Sequence, residues 1–305
     1  MGANFESYPS VSVIIPSLNS EETLRKCLNS VFRQQYPKEK YEVILVDGGS
    51  NDRTLEIAKE FPVRIVYEPK KGRGNAYNRG IIESKGDVIA FLDSDAYALS
   101  SWLKIMINEF KKENKVAAVH CRLKAPEECN FIQKCIDVVN FKGAGQANGV
   151  LYDKKVIINE NGFDERLNYL QEDMLKYKIR KRGYKIRIVG EVLIYHFPRK
   201  NLREYLKQNI EAGKNEVLLY RLTRDKKILF RIFSRSLGTL APFLLLFNLI
   251  YGFLVLIIFS SIYTFYVLHK THKEYRKPKY LLFVPIITYI SLMGSFIGYI
   301  RNLFP

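Results

Sequence analysis

Val88-Ile-Ala-Phe-Leu-Asp93-Ser-Asp95-Ala96 is the stretch that decides how this chain folds. Val88–Leu92 is a short, continuous apolar run, which reads as a strand buried on both faces. It carries two carboxylates, at i and i+2, to its C-terminal end, and in an open parallel sheet that edge is where ligands bind. Two hard oxygen donors suit a divalent cation that keeps several waters and takes phosphate oxygens from a substrate. An isolated Asp-x-Asp reads more simply as an Asx-rich turn closing a strand, so the rest of the chain has to decide.

Three similar runs precede it, Val11–Ile15, Val43–Val46 and Arg64–Tyr67. Helical patterns lie between them. In Glu21–Gln34, Leu24, Leu28, Val31 and Phe32 share a face behind Ser20 as a possible N-cap. Thr54–Phe61 follows Asn51 and Asp52, either of which can cap it, and a third helix runs over Asn75–Ser84. Strand alternating with helix predicts an α/β fold, with a mostly parallel, Rossmann-like sheet and right-handed crossovers.

Farther on, the pattern predicts a helix at Trp102–Lys112 and a strand at Val116–Cys121. Gly143-Ala-Gly145-Gln-Ala-Asn148-Gly149 is a small-residue stretch that either lets the backbone approach a ligand or is a plain loop. Gly162–Leu167 reads as a turn into a helix, Tyr169–Arg182, that opens with Gln171-Glu172-Asp173. Strands at Ile186–Val189 and Val192–Tyr195 end at His196.

The chain has 305 residues and a net charge of +17, unevenly spread. Residues 199–235 hold eleven Lys/Arg against four Asp/Glu, and 269–279 five against one. Ser236–Leu268 and Tyr280–Ile300 contain no Asp, Glu, Lys or Arg, and the 21 residues of the second match a bilayer's hydrocarbon core. Charge is therefore segregated with hydrophobicity, as at a membrane boundary. In 201–232, Leu202, Tyr205, Leu206, Ile210, Val217, Leu218, Tyr220 and Leu222 form an interrupted apolar face beneath basic residues, the composition of helices lying on anionic lipid. The expected organisation is a soluble α/β domain over 1–198, interfacial helices over 199–235 and a membrane region over 236–305.

Two or three membrane segments fit the apolar runs, depending on whether the first bends near Gly252 to return the basic loop inside. Gly294 and Gly298 are spaced to pack another helix closely, and a second copy of the chain remains a possible partner. The excess charge is mostly juxtamembrane, so no nucleic-acid partner is expected. Cys27, Cys121, Cys129 and Cys135 have neither zinc nor disulfide spacing, and Cys27 falls on an apolar helix face. The N-terminus reaches strand-like sequence by Val11 without a basic and apolar leader. These features predict a multi-pass protein of the cell membrane with its catalytic domain on the cytoplasmic side.

Five motifs in order resemble those of membrane-attached family 2 glycosyltransferases, whose nucleotide-sugar domain has the GT-A fold. They are Val11-Ser-Val-Ile-Ile-Pro16-Ser-Leu-Asn19, Val46-Asp47-Gly48-Gly49-Ser50-Asn-Asp52-Arg-Thr54, Gly72-Arg-Gly-Asn-Ala-Tyr-Asn78-Arg-Gly80, Asp93-Ser-Asp95 and Glu172-Asp173. The resemblance covers about residues 10–200. It implies an inverting transfer from a UDP- or GDP-linked sugar with Mg²⁺ or Mn²⁺, in which Asp95, Asp93 and His196 are the metal candidates. Pro16, Ser17, Asn19, Glu21, Asp47, Arg73, Asn78, Asp93 and Ser94 would line the donor pocket. Asp173 would be the base with Glu172 beside it, and Asn148, Gly149 and Arg180 would lie on the acceptor side. Two departures stand out: Gly48 follows Asp47 where the family often has a second acid, and Tyr77 stands where relatives often have Arg. Phosphate contact then passes to Arg73, Lys71 or Arg79.

The tract Gln208-Asn-Ile-Glu-Ala-Gly213-Lys214 and the Gly-spaced end Gly294-Ser-Phe-Ile-Gly298-Tyr-Ile-Arg301 loosely resemble enzymes that assemble exopolysaccharides on lipid carriers. The implied acceptor is a lipid-linked glycan or growing polysaccharide. The alternatives are transfer to a polyprenyl phosphate, whose oxygen needs no base, and a catalytically silent scaffold, against which the four intact acids argue.

Overall fold

The computed structural model describes residues 8–140, 148–240 and 277–303. The chain forms two compact units, Met1–Pro126 with Gly143–His196, and Glu127–Lys142 with Phe197–Pro305. The expected loop over 143–147, most of the first uncharged run and the basic segment up to 276 lie outside the described residues.

The first unit is built on an eight-stranded sheet. Its strands are β1 (Val11–Ser17), β2 (Tyr41–Asp47), β3 (Arg64–Tyr67), β4 (Val88–Phe91), β5 (Ala96–Ala98), β6 (Val116–Lys124), β7 (Val150–Asp153) and β8 (Lys185–His196), in the order β3-β2-β1-β4-β7-β6-β8-β5. β1 pairs in parallel with β2 and β4, β2 with β3, and β6 with β8. β7 is antiparallel to both β4 and β6, and β5 to β8.

The apolar runs are continuous because both faces of the sheet are covered. The pleat divides each run between two cores. Val13, Ile15, Val43, Leu45 and Ala90 pack with α1 (Leu24–Phe32) and α4 (Trp102–Lys111), burying Leu24, Leu28, Trp102 and Met106. Ile14, Ile44, Val46, Ile89 and Phe91 form the other core with α3 (Arg73–Glu83) and α7 (Gln171–Lys181), through Tyr77, Ile81, Leu175 and Ile179. Two short helices, α2 (Thr54–Lys59) and α6 (Lys154–Asn159), complete the unit.

Several boundaries differ from the expectation. Ser20 is not the N-cap of the first helix, which begins at Leu24 behind Thr23; its Oγ instead shares a hydrogen bond with Ser94 Oγ at 2.7 Å. Of the two candidates before α2, Asp52 is the one that accepts from Thr54 N, at 2.9 Å. The two late strands are one, since β8 keeps its pairing with β6 across irregularities in register. β5 and β7 carry too few residues to give a periodic signal.

The second unit contains α5 (Phe131–Asn140), α8 (Leu202–Thr223), α9 (Lys226–Leu240) and α10 (Pro278–Leu303). Cys135, Ile136 and Val138 of α5 meet Tyr205 of α8 and Tyr280, Val284 and Ile287 of α10. Part of the apolar face of α8 is thus covered within the chain, with Tyr205 and Val217 buried. Gly294 and Gly298 pack another helix as their spacing predicts, and that helix is α8: a Cβ at Gly294 would stand 2.7 Å from Asn209 Cβ, and one at Gly298 would strike the Ile210 carbonyl. Fully buried Glu216 joins three helices by pairing with Arg231, with Arg235 at 2.7 Å and with the Tyr299 hydroxyl at 2.5 Å.

Gly298→Val should lower stability by about 1–3 kcal/mol, because its side chain meets backbone that has no rotamer to yield. Gly190→Ala, whose Cβ meets nothing within 4 Å, should leave the thermal midpoint unchanged in the same melt.

Candidate functional site

Asp93 lies just past β4 and is 7% exposed. Its backbone N–H donates to Asn148 Oδ1 at 3.0 Å, and its carbonyl accepts from Cys27 Sγ at 3.6 Å. Tyr77 Oη donates to Asp93 Oδ1 at 3.0 Å, and Arg73 Nη1 lies 3.8 Å from Oδ2. Arg73 and Tyr77 reach the same carboxylate because i and i+4 share a helix face. Burial, and then Asp93, raise the Tyr77 hydroxyl well above its ordinary pKa, so it stays a neutral donor. Asp93 in turn raises the Arg73 guanidinium.

The chain turns from Asp93 into β5, whose pairing with β8 sets Ala96 opposite His196 and Tyr97 opposite Tyr195. The two tyrosine rings stack at 5.1 Å. That register brings His196 Nε2 to 3.3 Å from Asp95 Oδ1. Ligand atoms of Asp93, Asp95 and His196 all fall within 4.8 Å of one another. Burial disfavours the imidazolium of His196, but Asp95 and Asp93 outweigh it and raise its pKa. Two carboxylates and an imidazole, grouped this closely and partly withdrawn from water, are a donor set that fits a divalent cation.

Two loops at the ends of β1 and β2 are laced together nearby. Asn19, at φ 50°, accepts from Asn51 N at 3.0 Å, and its own N–H donates to Ser50 Oγ at 2.9 Å. Glu21 N donates to Asp52 at 3.1 Å, and its carboxylate takes Arg53 N at 3.2 Å. Asp47, 2% exposed, accepts from Gly49 N at 2.9 Å and from Ser50 Oγ at 2.6 Å, so it shapes this loop whatever else it binds. Pro16 and Ser17 pair with Val46 and Asp47, and Ser17 Oγ is buried without a partner.

Glu172 and Asp173 open α7, where the helix dipole favours acids. Asp173 is 3.3 Å from Lys176 Nζ. Burial raises the Glu172 carboxyl above its ordinary pKa and Asp173 adds to this, while Lys176 and Arg73 oppose it. Arg73 thus acts electrostatically on both Asp93 and Glu172.

The structure gives Asn78, Gly149 and Asn148 structural contacts of their own and sets Arg180 apart from Glu172. Asn78 spends its amide on the Gly162–Glu165 turn, donating to Phe163 O at 2.9 Å and accepting from Phe163 N at 2.9 Å. Gly149 supports the sheet: it donates to Phe91 O at 2.8 Å and accepts from Trp102 Nε1 at 3.2 Å, and a Cβ there would strike Ile194. Arg180 lies about 12 Å along α7 from Glu172, at 1.5 Å per residue, and is exposed. Asn148, expected on the acceptor side, holds the Asp93 backbone instead. Among the three basic candidates, Arg79 pairs with Glu83 at 3.1 Å, and Arg73 is the one beside Asp93. Cys27 and Ser20 escaped sequence reasoning as site residues because only tertiary packing brings them against Asp93 and Ser94.

Residues 12–185 match the family model described as glycosyl transferase family 2. The chain is 29% identical over 256 residues to glycosyltransferase AglE of Haloferax volcanii, spanning 77% of this chain and 82% of that protein. It is also 29% identical over 321 residues to the dolichyl N-acetyl-alpha-D-glucosaminyl phosphate 3-beta-D-2,3-diacetamido-2,3-dideoxy-beta-D-glucuronosyltransferase of Methanococcus voltae, spanning 96% and 97%. In fold it is similar to the mannosyltransferase PcManGT from Pyrobaculum calidifontis, solved with GDP-Man and Mn²⁺, with a TM-score of 0.67, 18% identity, and coverage of 98% of this chain and 88% of that one.

Tyr77→Phe removes a hydrogen bond to a candidate metal ligand while keeping the ring. Calorimetric titration with Mn²⁺ should find affinity reduced by roughly tenfold. Unchanged affinity would exclude Asp93 as a ligand that depends on this contact.

Proposed function

The chain belongs to glycosyl transferase family 2, and on that premise we propose that it moves a sugar, with inversion, from a UDP- or GDP-linked donor to a lipid-linked glycan or polysaccharide at the membrane surface. The observation that carries this reading is the meeting of Asp93, Asp95 and His196 with Arg73, under the electrostatic reach of Glu172, in one unit. The M. voltae relative is named for transfer onto a dolichyl-phosphate-linked sugar, which supports a lipid-linked acceptor. PcManGT was solved with GDP-Man and Mn²⁺, which supports a nucleotide-sugar donor and a divalent cation.

In the proposed reaction, an acceptor hydroxyl attacks the anomeric carbon. The new glycosidic bond forms as the bond to the diphosphate oxygen breaks, and the nucleoside diphosphate leaves. Mg²⁺ or Mn²⁺ held by Asp93, Asp95 and His196 would neutralise the charge that develops on that diphosphate. Arg73 adds a fixed positive charge at the same place. Asp173 takes the hydroxyl proton, and Glu172 orients the acceptor. Asn19, Glu21, Asp47 and Ser17 receive the nucleoside, with Ser94 and Ser20 closing the pocket floor.

Contact with anionic lipid at the cytoplasmic face is the role we assign to α9. Leu229, Phe230, Phe233, Leu237 and Leu240 are exposed along one face of it, beside exposed Lys226.

Asp95→Ala should abolish metal-dependent turnover of UDP- and GDP-sugars by the purified chain supplied with lipid extract, measured by release of nucleoside diphosphate. Turnover that survives the substitution would sink the reading. Lys176→Met removes a charge that lowers the Glu172 pKa. An acidic group that must be ionised loses activity as pH falls through its pKa, so the acid limb of the pH–rate profile should move to higher pH.

A further inference from the structure

We propose that α10 is not a membrane span: it lies beside α8, and its remaining apolar stripe rests on the lipid surface. By composition it looks like a span, since Phe283–Asn302 is long and apolar enough to cross a bilayer, the one such helix among the described residues. Its neighbour argues otherwise.

α8 runs parallel to α10 along most of its length. Asn209 accepts from Ser291 Oγ at 2.6 Å, Gly213 faces Ser295, Glu216 accepts from Tyr299 Oη, and Arg221 Nη1 donates to Asn302 at 3.0 Å. Depth along one helix therefore maps onto depth along the other. α8 carries seven charged residues in its 22, at 203, 204, 207, 211, 214, 216 and 221. The middle of α10, from Ser291 to Gly298, lies against Asn209–Lys214, within the stretch that holds Lys207, Glu211 and Lys214. Were α10 to cross, those charges would sit at the centre of the hydrocarbon, where ionised side chains are rare and expensive.

Ser291, Tyr299 and Asn302 spend their polar atoms on α8 side chains and backbone, and Asn302 Nδ2 also donates to Lys214 O at 2.8 Å. α8 begins six residues after His196 with no apolar run between them, so the chain crosses no bilayer before it, and α10 shares its depth. What α10 leaves uncovered is a stripe of Phe283, Ile286, Met293 and Ile300, with Lys277 and Lys279 at one end and Arg301 at the other. An apolar stripe with cationic ends fits the surface of an anionic bilayer.

This inference takes from the proposed function only that the chain works at a bilayer. It is tested by labelling, which needs no activity and so stands or falls apart from the transfer reaction. Lys277→Cys, Arg301→Cys and Lys155→Cys, the last on the catalytic unit, would each be made in the full-length chain, with the parent protein as background because all four native cysteines are buried. Sealed right-side-out and inverted vesicles would be treated with a membrane-impermeant maleimide, and labelling in detergent would first establish that each thiol reacts. A protease-cleavable tag after Pro305 gives a second reading that leaves the helix untouched. We expect all three positions and the tag to be reached from one and the same side. Arg301→Cys labelled from the opposite side to Lys277→Cys, or both labelled opposite to Lys155→Cys, would overturn the inference. Failure of the chain to float with anionic vesicles would overturn the lipid contact.

Discussion

The antiparallel pairing of β5 with β8 is the constraint on which the rest of the site depends. Three residues of β5 suffice, because the chain leaves β4 at Asp93 and needs only a tight turn to meet the last strand. That pairing closes the catalytic unit by joining the end of its first half to its final residue. It also converts sequence distance into ligand geometry: Ala96 opposite His196 leaves the imidazole facing Asp95. A shift of one residue would send His196 to the other face of the sheet. The stacked Tyr97 and Tyr195 rings, with Lys26 Nζ 4.0 Å from the Tyr97 centroid, hold this short strand in register.

Around that fixed point, Asp93 is held by four residues from three parts of the chain: Cys27 on α1, Arg73 and Tyr77 on α3, and Asn148 before β7. Replacement of the family's usual arginine by Tyr77 does not strip the site of positive charge, since Arg73 stands one helical turn earlier on the same face. The substitution instead exchanges one cation for a neutral donor plus a displaced cation. The Asp93 carboxylate and Glu172 then feel a common guanidinium.

Much of this was legible in the sequence. Continuous apolar runs marked β1, β2 and β4, since strands buried on both faces need no alternation. The carboxylates of Asp93 and Asp95 were legible because they follow such a run directly. What was not legible depends on contacts between distant segments. β5 is three residues long, and Asn148 looks like part of a loop until its Oδ1 is seen to accept from Asp93. Asn78 sits within a recognisable motif yet serves a turn 85 residues away, a partner that no local pattern specifies. For the C-terminal helices, hydropathy describes α10 alone, whereas the charges that lie beside it are written on α8, far earlier in the chain.

The most direct test of the account is pulsed electron paramagnetic resonance of Mn²⁺ bound to the purified chain with UDP or GDP. The account predicts a nitrogen coupling from one imidazole together with phosphorus couplings from the diphosphate, the nitrogen signal vanishing in His196→Ala. A spectrum with phosphorus and water couplings but no nitrogen in the parent chain would contradict the β5–β8 register as the device that assembles the site.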